Sequence, residues 1–202
     1  TEIVTGARLT VTYARIGGVK HDLPYQFAEQ VHETFRKTRS ILSDCDRLLA
    51  RNRIFIDRMS NVGVISRENA LSYSLTGPIL RSTGIDYDVR KAQPYLIYDQ
   101  MDFAVPLGSK GDNYDRFVCR IQEIEQSMRI VEQALKSLPP GNIAIDDPRF
   151  ILPQKEKVYN SIEGLMHHFK IIMEGIKVPP GEIYFAVEGA NGELGFYVVS
   201  DG

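Results

Sequence analysis

The feature that most constrains this chain is an unbroken apolar stripe between residues 112 and 138. An apolar residue recurs at every third or fourth position, which places all of them on one face of an α-helix. They are Tyr114, Phe117, Ile121, Ile124, Met128, Val131, Leu135 and Leu138. Asp112 can cap the first turn, and Pro139-Pro140-Gly141 ends the pattern. A helix of this length with an apolar seam needs other helices to pack along it.

Two further stripes predict long helices, over residues 25–50 with Asp22 as the N-cap and over residues 155–174. Alternating residues predict a short strand around Leu9, Val11 and Tyr13. They also predict a closing hairpin of residues 182–188 and 193–200. The predicted fold class is therefore mainly α (α+β), a bundle of long helices with a short N-terminal strand and a C-terminal β-hairpin. We expect residues 1–202 to form a single domain.

Residues 84–111 form a long connection without a clear helical or strand period, which is unusual inside a compact domain. Its tyrosines and phenylalanine predict that aromatic contacts hold it in place. The aspartates in this connection and just after it could indicate a calcium site or acid–base chemistry. Their spacing, however, fits no EF-hand loop. Basic residues also lie beside several of them. Charge pairing is the favoured interpretation. These aspartates are Asp86, Asp88, Asp99, Asp102, Asp112 and Asp115.

Composition excludes several classes of protein. The formal net charge of −2 argues against nucleic-acid binding by bulk electrostatics. No apolar run reaches the roughly 18 residues that a membrane span requires. Cys45 and Cys119 are isolated on apolar stripes, which predicts buried free thiols and no metal site of the usual Cys or His spacing.

Gly17-Gly18 indicates a positive φ angle or a close approach of the backbone to another group. Neither a dinucleotide-binding glycine pattern nor a P-loop surrounds the pair, so spacing alone favours a structural turn. The chain opens on Thr1 and stops at Gly202 directly after a strand pattern. We therefore expect a fragment of a longer protein, cut at both ends.

Several runs, taken together and in order, resemble the D subunit of NADH–quinone oxidoreductase, the quinone-site subunit of respiratory complex I. No single run is decisive, but the ordered set covers nearly the whole chain. The runs are Thr5-Gly6-Ala7-Arg8, Arg15-Ile16-Gly17-Gly18-Val19, Asp22-Leu23-Pro24, Asp88-Val89-Arg90-Lys91-Ala92-Gln93-Pro94-Tyr95, Val105 to Arg116, Val178-Pro179-Pro180-Gly181 and Gly195 to Gly202.

This resemblance implies the fold of the nickel–iron hydrogenase large subunit. It implies a complex that uses NADH, flavin, iron–sulfur clusters and quinone, and that couples electron transfer to proton translocation. No cofactor would be bound by this chain itself. The implied partners are the B subunit, which holds the terminal cluster, the C subunit and the H subunit of the membrane arm. The implied location is peripheral, on the cytoplasmic side of the cell inner membrane.

The resemblance also implies where the chemistry lies. The His and Tyr that hold the quinone belong to segments outside these residues, so we expect no catalytic residue here and an inactive isolated fragment. Thr10, Arg15, Gly17 and Gly18 are expected near the partner's iron–sulfur cluster. The family usually carries a His where Thr10 stands, and threonine does not titrate near neutral pH. The hypothesis is that the cluster's potential depends less on pH here than in relatives with that His.

Two alternatives stay open at this point. The first is a subunit of a related membrane-bound hydrogenase or formate hydrogenlyase. The second is a non-catalytic helical interaction module, which predicts that every apolar stripe is buried. The complex I interpretation predicts exposed apolar surface where partners are missing.

Overall fold

The computed structural model describes residues 1–202, of which about 48% are helical. The helices are α1 Glu2–Thr5, α2 Phe27–Cys45, α3 Arg53–Met59, α4 Arg67–Ser72, α5 Gly77–Arg81, α6 Val89–Ala92, α7 Asn113–Lys136, α8 Lys155–Asn160 and α9 Ile162–Glu174. A π-helical turn covers Asp46–Ala50 and a 3₁₀ turn covers Tyr98–Gln100. The strands are β1 Ala14–Arg15, β2 Gly18–Val19, β3 Gly181–Gly189 and β4 Gly192–Ser200. The predicted α+β class is confirmed.

The chain separates into two compact units. The first unit comprises Thr1–Gln30, Pro139–Glu182 and Val198–Gly202, and the second comprises Val31–Leu138 and Ile183–Tyr197. The expectation of a single domain over residues 1–202 stays a prediction.

In the second unit, α7 is the longest helix and begins where the sequence predicts. The carboxylate of Asp112 accepts a hydrogen bond from the backbone N–H of Asp115 at 2.8 Å, as an N-cap should. Its other oxygen accepts from the N–H of Asn61 at 2.9 Å, which joins the start of the helix to the loop after α3. The ring of Phe117 packs edge-on against that of Phe55 at 5.0 Å between centroids. The N-terminal part of the stripe therefore packs within the unit, whereas Val131 is 39% exposed and Leu138 is 58% exposed.

The start of α2 differs from its prediction. The Asp22 carboxylate accepts a hydrogen bond from the next residue, Leu23, and does not cap the helix, which begins at Phe27 after Gln26 at φ +56°. From Val31 onward α2 belongs to the second unit. There Arg39 forms ion pairs at 3.0 and 3.2 Å with two glutamates of α7, Glu125 and Glu132.

The connection 84–111 lies in the second unit and contains only α6 and the 3₁₀ turn. The ring of Tyr98 packs edge-on against those of Tyr95 at 4.9 Å and Phe103 at 6.5 Å. The guanidinium of Arg90 lies 4.8 Å from the centre of the Phe103 ring. The predicted aromatic anchoring of this segment is confirmed.

The predicted single helix over residues 155–174 is wrong, because Ser161 divides it. Ser161 has φ −139°, ends α8 and caps α9 by accepting from the N–H of Gly164 at 2.9 Å. A side chain at Gly164 would place its Cβ 2.4 Å from the carbonyl oxygen of Lys157. The local side-chain cap and this close approach outweigh the helical period of the sequence.

The predicted short N-terminal strand is confirmed, but its predicted position at Leu9, Val11 and Tyr13 is wrong. Residues 7–13 are irregular, and the strand lies later, where Ala14 pairs with Val19 and Arg15 with Gly18. Alternation alone does not make a strand when no partner lies beside it. The C-terminal hairpin β3–β4 is confirmed, with Ala190 and Asn191 at its turn.

The buried apolar core lies in the second unit. The apolar residues that solvent scarcely reaches are Val31, Ala70, Leu80, Val89, Phe103, Cys119, Met128 and Ala186. The first unit instead exposes one face of α9 through Ile162, Leu165, Met166, Phe169, Ile172 and Met173. None of the helices combines the length and apolar composition that crossing a bilayer needs.

Candidate functional site

The hairpin β1–β2 carries three of the four residues predicted near a partner's cluster. Ile16 and Gly17 form its turn, with Gly17 at φ +82°, a conformation that glycine adopts at little cost. The carbonyl of Gly17 accepts from the N–H of Ile145 at 2.9 Å, and the N–H of Val19 donates to the carbonyl of Ile143 at 3.0 Å. Backbone hydrogen bonds thus join the hairpin to the loop that follows α7 in sequence, within the first unit.

The two glycines are required by this close contact. A Cβ on Gly18 would lie 2.3 Å from the carbonyl oxygen of Ile143, and one on Gly17 would lie 2.6 Å from the side chain of Ile145. The predicted close approach of the backbone is therefore confirmed. Its partner is another part of the chain, so the pair needs no bound phosphate to explain it.

Thr10 and Arg15 lie in the same segment and face solvent. Thr10 is exposed in irregular backbone, while Arg15 is exposed in β1 and donates to the carbonyl of its neighbour Ala14 at 3.0 Å. Next to them in sequence, Leu9 is 87% exposed and Ile16 is 63% exposed. A cationic side chain and exposed apolar residues on one short segment are typical of a surface that meets another protein. The expected position beside a partner's cluster stays a prediction.

A buried charge cluster in the second unit was not predicted as a site. The Arg81 side chain is only 2% exposed and reaches three carboxylates: Glu123 at 2.7 Å, Glu188 at 2.9 Å and Asp88 at 3.6 Å. Arg90 adds a second cation, 2.6 Å from Asp88. The cluster joins α5, α6, α7 and β3, so it fixes four elements of the unit at once.

The charges of this cluster shift two pKa values in opposite directions. Burial disfavours the charge of Asp88, but hydrogen bonds and the nearby charge of Arg90 outweigh it, so the pKa of Asp88 is lowered. Burial raises the pKa of Glu123 above its ordinary value, although the charge of Arg81 opposes this. Two arginines face three carboxylates here, and the cluster contains no redox group.

The aspartates of the 84–116 region mostly have structural partners. Asp88 pairs with Arg90, and Asp102 pairs with Arg129. The carboxylate of Asp115 accepts from the N–H groups of Ser109 and Lys110, both at 2.7 Å. The interpretation as a paired loop is confirmed for Asp88 and Asp102, whereas Asp112 and Asp115 bind backbone. No ion pair is formed by Asp86 or Asp99.

The residues present do not fit a metal ion or an iron–sulfur cluster held by this chain alone. Both cysteines are free thiols, and burial raises the pKa of Cys119 to about 11, so its thiolate is disfavoured. No group of three or more His, Cys, Asp or Glu residues is arranged to hold a metal ion.

Comparison with known proteins assigns these features to a family. The profile described as "Respiratory-chain NADH dehydrogenase, 49 Kd subunit" matches residues 1–202. A protein of Myxococcus xanthus (strain DK1622), named as the D subunit of NADH-quinone oxidoreductase, is 52% identical over 202 residues, which is 100% of this chain and 49% of that protein.

Two further relatives carry the same type of name. A D subunit of NADH-quinone oxidoreductase numbered 2, from Anaeromyxobacter sp. (strain K), is 54% identical over 197 residues, 98% of this chain and 46% of that protein. A D subunit numbered 1, from Sorangium cellulosum (strain So ce56), is 53% identical over 199 residues, 98% of this chain and 49% of that protein. The chain spans about half the length of the curated relatives it matches.

Proposed function

The chain belongs to the family of the 49 kDa subunit of respiratory-chain NADH dehydrogenase, and we propose that it serves as part of the D subunit of an NADH–quinone oxidoreductase. The observation that carries this proposal is the family match over residues 1–202, together with 52–54% identity to three proteins of that name over 197 to 202 residues. The chemistry would belong to the assembled complex.

Within the complex, the proposed task of this chain is to build the quinone-reduction site together with the B subunit, which holds the terminal iron–sulfur cluster. That cluster, when bound by the partner, supplies the electrons that reduce quinone. The residues of this chain would form walls and contacts, and proton translocation would be driven elsewhere in the complex. The C subunit and the H subunit of the membrane arm are the other proposed neighbours, on the cytoplasmic face of the membrane.

Exposed apolar surface supports an assembled state. Phe169 on α9 is 54% exposed and Met173 is 67% exposed, although both lie on an apolar helical stripe. A self-sufficient helical module would bury that stripe, and the structure contradicts this. The alternative of a hydrogenase subunit has no observation in its favour here, because the three relatives are named as NADH–quinone oxidoreductase subunits.

A chimera tests the proposal directly. The 202 residues replace the matching segment of the D subunit from Myxococcus xanthus, in a strain that lacks its own gene for that protein. We expect membranes of this strain to regain NADH-dependent quinone reduction to within roughly threefold of wild type. A control chimera that carries Gly18→Trp should fail to assemble, because the side chain would collide with the backbone at Ile143. A chimera that assembles but reduces no quinone would contradict the proposal.

Thr10 allows a finer test of the same proposal. Its exposed hydroxyl does not ionise near neutral pH, so we propose that the terminal cluster's potential varies little with pH. The measurement is a redox titration of the cluster in the assembled complex at several pH values between about 6 and 9. The matched variant Thr10→His should introduce a slope approaching about 59 mV per pH unit, the value for one proton per electron. A full slope with Thr10 intact would refute the hypothesis.

A further inference from the structure

One opening in the second unit has no role in the function proposed above. It is a cavity of about 530 Å³ between the α4–α5 segment and the β3–β4 hairpin. Three leucines line one part of it, and two tyrosines and a glutamate line another. These residues are Leu71, Leu75, Leu80, Tyr87, Tyr184 and Glu193. Apolar walls with a few converging polar groups are the usual composition of a binding pocket.

The carboxylate of Glu193 is held in a fixed position at this cavity. The hydroxyl of Tyr184 donates to one oxygen at 2.6 Å, and the hydroxyl of Tyr87 donates to the other at 3.0 Å. The backbone N–H of Glu193 donates to the hydroxyl of Thr76 at 3.0 Å. Each carboxylate oxygen keeps a lone pair for a further donor.

The negative charge of Glu193 has no cationic partner in the chain. Glu188, five residues earlier on the same hairpin, pairs with Arg81 at 2.9 Å, whereas no ion pair includes Glu193. The pKa of Tyr184 is raised by its hydrogen bond to Glu193, and the pKa of Tyr87 is raised by burial and by the same carboxylate. Both phenols therefore stay protonated and donate to a carboxylate whose charge they do not neutralise.

The backbone around the cavity is specifically shaped to keep this geometry. A Cβ on Gly195 would lie 2.2 Å from the hydroxyl oxygen of Tyr184, so a side chain there would displace the ring. A Cβ on Gly77 would lie 2.4 Å from Cα of Gly192, which fixes the hairpin tip against the start of α5. Ser74, on the cavity wall, has φ +52°, a conformation that non-glycine residues seldom adopt.

We propose that this cavity receives the guanidinium or ammonium group of an arginine or lysine from a neighbouring protein of the complex. The carboxylate of Glu193 would pair with the cation, and the two phenol rings offer faces for cation–π contact. The alkyl stem of the side chain would lie along the leucines. Leu71 and Tyr184 are each 57% exposed at the cavity, so a neighbouring protein that covered this rim would bury apolar and aromatic surface. The identity of the neighbour rests on the proposed function.

The first part of the test asks whether the cavity prefers a cation. The 202-residue chain is titrated with n-butylguanidinium and with neutral n-butylurea, which has nearly the same shape, while NMR follows the tyrosine ring signals. We expect saturable shifts of Tyr87 and Tyr184 with the cation, and at least tenfold weaker binding of the urea. Glu193→Gln should weaken cation binding at least tenfold, whereas Glu68→Gln, on the exposed surface of α4, should leave it unchanged. Equal binding of both probes would overturn the proposal.

The second part asks whether a neighbouring protein fills the cavity in the assembled complex. Wild type, Glu193→Gln and Tyr184→Phe are each compared in the complex. We expect the wild-type cavity to be closed to butylguanidinium there, and Glu193→Gln to lower the yield of assembled complex at least fivefold. Tyr184→Phe, which keeps the charge but removes one donor, should lower it less.

The outcomes separate this inference from the proposed function. A wild-type cavity that still binds butylguanidinium in the assembled complex would mean a free cationic ligand and would overturn the inference. Assembly of Glu193→Gln and Tyr184→Phe at wild-type yield would overturn it as well, with the proposed function intact. Failure of the wild-type chain to enter the complex at all would instead refute the proposed function.

Discussion

The two units of the chain differ in how far they bury their side chains from solvent. The second unit encloses an apolar core and a charged cluster, with Phe103 only 3% exposed and the Arg81 side chain only 2% exposed. The first unit leaves the stripe of α9 in solvent, with Ile162 78% exposed and Phe169 54% exposed. Apolar residues that recur at helical spacing thus need not be buried, since Met128 on α7 is 4% exposed whereas Phe169 on α9 is 54% exposed.

This difference shows that periodicity reports which face of a helix packs, but not what it packs against. The hydrophobic free energy of the second unit comes from its own contacts. For the first unit the same contribution would be gained only when another surface covers α9. Substitutions in the second unit should therefore change the stability of the chain, and those on α9 should change its association.

The largest effect is expected from removal of the central cation of the second unit. Arg81→Met leaves Glu123, Glu188 and Asp88 buried around an uncharged side chain, which should cost about 3–5 kcal/mol. Urea unfolding followed by circular dichroism measures the loss. Arg39→Met, which breaks the half-exposed pairs with α7, should cost about 1 kcal/mol or less. Equal losses of unfolding free energy in the two variants would show that the buried cluster stabilises the chain no more than the half-exposed ion pairs do.

A matched pair of phenylalanines tests the contrast itself. Phe103→Ala should destabilise the chain by about 3–5 kcal/mol, because it opens a cavity beneath the cation of Arg90. Phe169→Ala should change the free energy of unfolding by no more than about 0.5 kcal/mol. The same variant should reduce binding of a dye for exposed apolar surface. If Phe169→Ala destabilises the isolated chain as much as Phe103→Ala, the proposed difference between the units is wrong.

Within the first unit, the tightest contact is that of the glycine hairpin. Gly18→Ala should cost about 1–3 kcal/mol, because the added methyl group would lie 2.3 Å from the carbonyl oxygen of Ile143. Hydrogen exchange at the amides of Val19 and Ile145 measures the loosening. The double variant with Ala144→Gly should not restore protection, since the carbonyl remains in place. Restoration would mean that the side chain of Ala144 is the true obstacle.

The smallest effect concerns the cap of α7 and has a definite pH dependence. Asp112→Ala should cost about 1–2 kcal/mol at neutral pH. Burial disfavours the charge of Asp112, but hydrogen bonds from two backbone N–H groups prevail and its pKa is lowered in the folded chain. Its stabilisation is therefore complete above the pKa of the unfolded chain, near about 3.9, and is lost as pH falls through the lower folded value.

The gap in stability between wild type and Asp112→Ala should accordingly narrow below about pH 4. Unfolding by urea at neutral pH and at about pH 3 checks this. Asp112→Asn, which keeps an acceptor oxygen without the charge, should show a smaller gap at neutral pH and little change with pH. A gap that widens on acidification would contradict the assigned sign.

The sequence predicts those elements whose determinants are close together along the chain. The cap and stripe of α7 are local, and so is the turn of the β3–β4 hairpin. The break at Ser161 escapes a prediction from periodicity because a serine cap within an apolar period outweighs the period itself. The prediction of Asp22 as a cap is wrong because its carboxylate accepts from the next residue, and the helix begins only after Gln26, which has φ +56°.

The sites show the same limit more strongly. Gly17-Gly18 predicts a close approach of the backbone to another group, but that group, at residues 143–145, is more than a hundred residues away in sequence. Arg81 and Glu188 are separated by 107 positions, so no local pattern could have joined them. The one available signal was a charged residue at the end of the apolar run Pro78-Ile79-Leu80, where a buried arginine needs carboxylates to compensate its charge.

The buried thiol of Cys119 offers a way to follow the unfolding of the second unit. It is 1% exposed and its pKa is raised to about 11, so an alkylating reagent reaches it only when α7 leaves the core. Cys45 is only half-buried and should react first in the native state. The rate at which Cys119 is alkylated therefore measures the rate at which the second unit opens, without any added label.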